Sequence, residues 1–468
     1  MSNRKHNIVV ENIIIESYAA EGKALARHNG KVIFVEGAVP GDVVNIQLTR
    51  NKKDWAEGRI LAFHEYSSQR VEPFCQHFGT CGGCQWQMLP YELQLQNKQQ
   101  QVIDNLQRIG KIPLPATRTI VGCQDDRRYR NKLEYTFSNK KYLEPLELKD
   151  PTVSAYQDVA GYHVKGWFDK VIEIDVCHLQ HEPTNDIRKF VANYARQKGW
   201  PFYDIRMHKG LMRTMQVRLC TTGELMVNLV FAEDDQPRIT EICRALAEAF
   251  PQITTLLFTV NTKMNDSIYD LDPQVFTGNG YVTERLEDFT FKIGPKSFFQ
   301  TNTRQAETLY RLTRQMAELT GREIVYDLYC GTGSIGIFCS HKAGKIIGVE
   351  TIAEAIEDAK QNAALNNVAK AAFFTGDVID ICDDGFFETH GRPDVIITDP
   401  PRAGMHEKLI NKLLDIAAPL IVYVSCNPAT QARDLNLLGE KYLVEIIQPV
   451  DMFPHTHHIE NIVQLKLK

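Results

Sequence analysis

No apolar run in the 468 residues approaches the roughly 18 to 20 that a membrane helix needs. The polar start Met1-Ser2-Asn3-Arg4-Lys5-His6 also lacks the apolar stretch of a secretion signal. These absences predict a cytoplasmic protein with no membrane contact. A large charge excess is missing too: 53 Lys and Arg against 58 Asp and Glu give −5. Overall charge therefore does not draw the chain to a polyanion, and any nucleic-acid contact needs a local basic face. No internal repeat is found. With 43% apolar, 24% charged and 9% aromatic residues, the composition is globular rather than disordered or fibrous, and the length suffices for two or three domains. Cysteine is not scarce. The 11 cysteines are odd in number and several lie in apolar runs, which a reducing cytosol would keep as thiols. Metal binding or nucleophilic chemistry remains for them.

The charge is divided unevenly along the chain. Residues 321–468 carry 13 basic and 20 acidic groups, leaving 40 and 38 for residues 1–320. Between residues 8 and 64, short β-rich runs (Ile8–Val10, Ile13–Ile15, Lys31–Val35, Val43–Ile46) alternate with the turn signals Asn29-Gly30 and Pro40-Gly41-Asp42, a spacing that suggests a small closed β-barrel. Glu21-Gly22-Lys23-Ala24 and Phe34 through Asp42 resemble a TRAM domain, an OB-like barrel attached to RNA-modifying enzymes. A cysteine cluster occupies 75–84, and the apolar positions from Tyr91 to Ile109 predict an amphipathic helix ending at Gly110. Mixed strands and turns follow over 125–292, with helices near 184–198 and 237–249. From Gln300 onward the period becomes strand, helix, strand, helix. Continuous apolar strands such as Ile324–Leu328, Lys345–Val349, Asp394–Thr398 and Leu420–Val424 imply a parallel sheet covered on both faces.

Asp327-Leu328-Tyr329-Cys330-Gly331-Thr332-Gly333-Ser334 follows one of these strands and opens a helix. A glycine-rich loop can be a packing turn. Here Glu350 ends the next strand, where a carboxylate can accept from ribose hydroxyls, and Asp377 follows the run Ala372–Phe374, so a nucleoside cofactor is expected. Asp327 before the loop and Asp399-Pro400-Pro401 after the fourth strand argue against a dinucleotide. That pattern resembles a class I S-adenosyl-L-methionine-dependent methyltransferase, in which the acidic residue before the loop faces the methionine end of the cofactor.

Strand ends 1, 2, 4 and 5 of such a sheet converge on one crevice, which brings Cys426, in Val424-Ser425-Cys426-Asn427-Pro428, beside Asp399. Free cysteine is most often core, but this one stands in a polar turn and can be a nucleophile. Carbon 5 of a pyrimidine is too weak to attack a methyl sulfonium directly, whereas thiolate addition at carbon 6 makes an enolate charged at carbon 5. A base must then remove the carbon 5 proton. Glu460, before the final strand Ile462–Leu467, is available for that step. His455, His457 and His458 lie too close together in one loop, without a clear partner, to make a convincing metal site.

Five motifs in order, Ser297-Phe298-Phe299-Gln300-Thr301-Asn302, Asp327 to Gly333, Asp399 to Gly404, Ser425 to Pro428 and Asp451 to Thr456, resemble the RNA uridine-5-methyltransferase family. The resemblance spans nearly the whole chain. It implies Cys426 as nucleophile, Glu460 as base, Gln300, Tyr329, Glu350 and Asp377 as cofactor contacts, and Asp399 as a contact close to cofactor and target base. Ser334 stands where some relatives carry Asn.

Cys75, Cys81 and Cys84 form a tight thiol loop that needs a fourth ligand, Cys123 or Cys177, and either zinc or an iron–sulfur cluster suits four cysteines. Spacing alone favours zinc. The resemblance implies instead a [4Fe–4S] cluster held by Cys75, Cys81, Cys84 and Cys177, as in ribosomal RNA members of the family, with a structural or RNA-positioning role. Arg118, Arg127, Arg128, Arg130, Lys132 and Lys140, interleaved with Tyr129, Tyr135 and Phe137, predict an RNA face.

The expected architecture is therefore α/β: a TRAM barrel (1–66), a mixed α+β central domain carrying the cluster (67–292) and a Rossmann-like methyltransferase domain (293–468). The expected activity is methylation of carbon 5 of a uridine flipped out of an unpaired loop, with 23S ribosomal RNA as the substrate the resemblance implies. The alternatives are a transfer RNA uridine-5 enzyme, a cytosine-5 or amino-group methyltransferase, and a non-catalytic RNA-binding assembly factor.

Overall fold

The computed structural model describes residues 8–115, 117–144 and 146–468. The polar start, Met1 to His6, lies outside them. The first sheet has six strands, in the order Val9–Ile14, Val43–Asn51, Trp55–Glu65, Lys31–Val35, Ala24–His28 and Ser17–Tyr18. It curls around Ile13, Ala26, Ile33, Val44 and Ile46. Among the described residues its hydrogen-bonded ladder does not close, and Val9–Ile14 packs on Ala24–His28 instead. The expected hairpin turn is present: Asn29 and Gly30 have φ of 50° and 76°, the backbone of a two-residue turn that matches strand twist.

The central sheet has seven strands, mostly antiparallel, with one parallel pair between Leu225–Phe231 and Thr255–Val260. Helices Thr184–Gln197 and Gln236–Ala249 pack on each other over one face. Tyr135 and Phe137 of strand Lys132–Ser138 are fully buried in that core, and Lys140 is buried in a 2.9 Å ion pair with Asp204. The expected RNA face over 118–140 is corrected accordingly. Alternation along a strand sends these residues inward, leaving Arg118, Arg127 and Arg128 exposed.

The carboxy-terminal sheet has the order Ala371–Thr375, Lys345–Glu350, Ile324–Leu328, Val395–Thr398, Leu420–Ser425, Glu460–Leu467, Tyr442–Val450. Its first five strands are parallel and the last two antiparallel. Helix Tyr91–Arg108 forms as expected, but packs on helix Pro428–Leu438 and strand Tyr442–Val450. Thr117 and Val121 continue the contact by bridging to Ile447 and Val450. The hairpin Val282–Leu286/Phe289–Ile293 also buries its apolar side in the core of this half. Its packing unit thus draws residues from amino-terminal of the 292/293 boundary expected from the sequence. Among the described residues, no helix is long and apolar enough to cross a membrane.

Candidate active site

Strand Leu420–Ser425 runs directly into Cys426, after which Asn427 caps helix Pro428–Leu438 by accepting from the Ala429 amide at 3.1 Å. A cap of this kind contributes about 1 kcal/mol. It ties Cys426 between a strand end and a helix start, half-buried. Glu460 corrects one expectation. It is the first residue of the final strand rather than a loop residue, pairs with Val450, and is only 6% exposed.

Burial and the neighbouring Asp399 hold the Glu460 carboxyl well above the usual carboxylate range. Burial likewise raises Asp399. The Cys426 thiol is pushed up to about 11 by burial and by the carboxyls of Glu460 and Asp399, while the Arg402 guanidinium pulls it down. Cys426, Glu460, Asp399 and Arg402 therefore share one electrostatic neighbourhood. Sequence reasoning missed Arg402 as its cation, although it stands inside the Asp399 to Gly404 motif.

A second group joins this one through Asp399. Asp327 Oδ2 accepts the Gly336 amide at 2.8 Å, whereas its Oδ1 is buried without a hydrogen-bond partner. Burial pushes the carboxyl up to about 7, with Asp399 and Glu350 adding to the shift. A lone buried acceptor of this kind fits a ligand that brings a donor or a positive charge, as the ammonium of a methionine moiety does. Glu350 Oε2 accepts the Gly331 amide at 3.3 Å, and its Oε1 accepts from Thr351 Oγ1 and the Ile352 amide, both at 3.0 Å. Gly331 has φ of 53°, and a Cβ placed there meets nothing within 4 Å, so the backbone is open to a ligand. Burial pushes the Tyr329 phenol up to about 12, with Asp377 and Glu350 among its charged neighbours.

Two expected contacts have hydrogen bonds of their own within the protein. Asp377 spends one oxygen capping helix Val378–Ile381 through the Ile379 amide at 2.9 Å. Gln300 is half-buried, and its carbonyl accepts from the Asn131 side-chain amide at 2.9 Å. Among the described residues, no hydrogen bond ties the Gln300 side chain to the strand-end carboxylates. Ser334 Oγ lies 2.9 Å from the Tyr310 hydroxyl.

Cys75, Cys81, Cys84 and Cys177 line one cavity of about 680 Å³. Burial pushes the Cys81 and Cys84 thiols up to about 11 and about 12, and the other cavity thiols add to the shift. Cys123 is elsewhere: its Sγ donates to the Asp451 carbonyl at 3.1 Å and accepts from Asn302 at 3.4 Å. Among the described residues, no three His, Cys, Asp or Glu side chains converge to hold a metal ion. Of the three loop histidines, His457 and His458 have ring centroids 4.2 Å apart, and each of the three has its own partner. His455 meets Gln94, His457 meets Gln85 and His458 meets Arg402.

Comparison with known proteins agrees with this geometry. A family model described as tRNA (Uracil-5-)-methyltransferase matches residues 389–468, a methyltransferase small-domain model matches 308–421, and a TRAM model matches 9–61. An uncharacterized RNA methyltransferase of Bacteroides thetaiotaomicron is 50% identical over 453 residues, covering 96% of this chain and 100% of the relative. The chain belongs to the RNA uridine-5-methyltransferase family. A Porphyromonas gingivalis relative of this methyltransferase, also described as an uncharacterized RNA methyltransferase, is 49% identical over 96% of the chain and 98% of its own length. Among solved structures, the tRNA (uracil-54, C5)-methyltransferase of Pyrococcus abyssi, in complex with S-adenosyl-L-homocysteine, is similar with a TM-score of 0.74 and 28% identity. That match covers 97% of this methyltransferase and 99% of the archaeal chain.

Proposed function

We propose that this methyltransferase transfers a methyl group to carbon 5 of a uridine in folded RNA, with Cys426 as nucleophile and Glu460 as base. The observation that carries the reading is the shared neighbourhood of Cys426, Glu460, Asp399 and Arg402 at the ends of three adjacent strands. Asp327, Tyr329, Glu350, Asp377 and Gln300 would hold S-adenosyl-L-methionine, which would supply an electrophilic methyl group. The Cys426 thiolate forms a bond to carbon 6, and the π electrons of the carbon 5–carbon 6 bond move to an enolate that is nucleophilic at carbon 5. After carbon 5 is methylated, Glu460 takes its proton. The double bond reforms, and the carbon–sulfur bond breaks to return the thiolate. Arg402 is the cation facing both ionising groups, and the raised proton affinity of Glu460 makes it the stronger base once ionised.

The substrate we favour is 23S ribosomal RNA, on the resemblance of the cysteine loop to ribosomal RNA members. A transfer RNA substrate is the second reading, favoured by the likeness to the Pyrococcus abyssi enzyme. Cys75, Cys81, Cys84 and Cys177 would hold a [4Fe–4S] cluster. Four cysteines lining one cavity suit such a cluster, in which each iron takes its own thiolate. The test of the reaction is Cys426→Ala: methyl transfer to bulk RNA should vanish while cofactor affinity by calorimetry stays within a few-fold. Retained transfer would refute the covalent route.

A further inference from the structure

The loop Asp451–Ile459 leads into Glu460, and it is gripped by a segment nearly the whole chain away. Gln94, fully buried, accepts the His455 amide on Oε1 at 2.8 Å and donates from Nε2 to the carbonyls of Trp86 and Leu89 at 3.1 and 2.8 Å. The amides of Gln85 and Trp86 donate to the His455 carbonyl at 2.8 and 3.0 Å. One turn further along the helix, Lys98 Nζ lies 2.6 Å from Asp451 Oδ1 in a pair with no exposure on either side, and donates to the Phe453 carbonyl at 3.1 Å.

His455 has φ of 64°, a left-handed conformation that a non-glycine side chain disfavours. Such a residue persists only where its surroundings over-determine it, and the bonds from Gln85, Trp86 and Gln94 do so. The far end of the loop reaches the site, because His458 Nδ1 is 3.4 Å from Arg402 Nη2.

We propose that Gln94 and Lys98 are positioning residues for Glu460, holding His455 and Asp451 so that the loop delivers the carboxylate to the carbon 5 proton. The proposal rests on the covalent reading above. Among the described residues, neither hydrogen-bonds to Cys426 or to strand Leu420–Ser425. Loosening the clamp should therefore slow proton removal more than adduct formation, and the methylated enzyme–RNA adduct should accumulate.

The experiment follows a denaturation-resistant protein–RNA band in wild type, Glu460→Gln, Gln94→Met and Lys98→Met, alongside cofactor affinity and thermal melting. Gln94→Met and Lys98→Met should bind cofactor within a few-fold, lose turnover on the order of 10²-fold, as small misplacements of catalytic groups do, and accumulate the band as Glu460→Gln does. If these single variants do not melt cooperatively, Lys98→Met combined with Asp451→Asn, which leaves no lone buried charge, takes their place. A band in Glu460→Gln with none in the clamp variants would overturn the proposal alone. No band in Glu460→Gln would overturn the assignment of Glu460 as the base, and the proposal with it.

Discussion

Cys426 stands at one strand end between a carboxylic acid pair and Arg402, whereas Cys75, Cys81, Cys84 and Cys177 come from two distant segments and face one another across a cavity. Burial raises the thiol of Cys426 and those of Cys81, Cys84 and Cys177. The neighbours differ. Near Cys426 a guanidinium favours the thiolate. In the cavity Cys81, Cys84 and Cys177 are each raised by other thiols, with Arg130 lowering Cys177 alone, and a bound cationic centre would favour the thiolates together. On the proposed function, one thiol ionises transiently and the other four would be ionised together by a ligand.

The contrast breaks most sharply in the metal content of anaerobically prepared protein. We expect about four iron atoms per chain, lost in Cys177→Ser and kept in Cys123→Ser. Stoichiometric zinc, or iron loss in Cys123→Ser alone, would erase the distinction between the cavity and the other thiols.

A smaller effect sharpens the Cys426 side. A thiol raised to about 11 ionises only as pH rises, so in the absence of RNA its alkylation by iodoacetamide should be slow near neutrality. Followed on its peptide by mass spectrometry, the rate should climb about tenfold per pH unit toward that value. Arg402→Ala removes the cation that lowers the thiol and should slow alkylation further. A plateau below about pH 8.5, the ordinary thiol value, would show that the raised thiol is not there.

The smallest expected change is in cofactor affinity. Asp327→Asn keeps the size of the side chain but loses the charge on an oxygen that has no partner within the protein. Calorimetry should show a loss of about 1.5 to 3 kcal/mol, the worth of a hydrogen bond to a charged group. Unchanged affinity would remove Asp327 from the cofactor site.

How much was legible follows the same division. Strand ends of a parallel sheet lie within short stretches of sequence, so the strand-end placement of Asp327, Glu350, Asp399 and Cys426 was readable from local motifs, as were the boundaries of strands such as Ile324–Leu328. What depended on distant packing was not. Tyr135 and Phe137 read as stacking aromatics until the central helices covered their face. The role of helix Tyr91–Arg108 was hidden for the same reason, though a signal existed: Gln94 and Lys98 fall on the same buried stripe as Val102 and Leu106, and polar residues on such a stripe demand buried partners. Breaking the Lys98–Asp451 pair would leave a lone buried charge at a cost of about 3 to 5 kcal/mol, so the sequence could have flagged the pair without naming Asp451.

The central claim is the bond between Cys426 and carbon 6 of a uridine, followed by proton loss from carbon 5. RNA in which 5-fluorouridine replaces uridine tests it directly, because fluorine at carbon 5 cannot leave as a proton and the reaction must stop at the methylated adduct. Intact mass spectrometry of the enzyme incubated with this RNA and S-adenosyl-L-methionine should show a species equal to protein plus RNA plus one methyl group. Peptide mapping should place the link on Cys426. No covalent species, or a link at any other residue, would contradict the account.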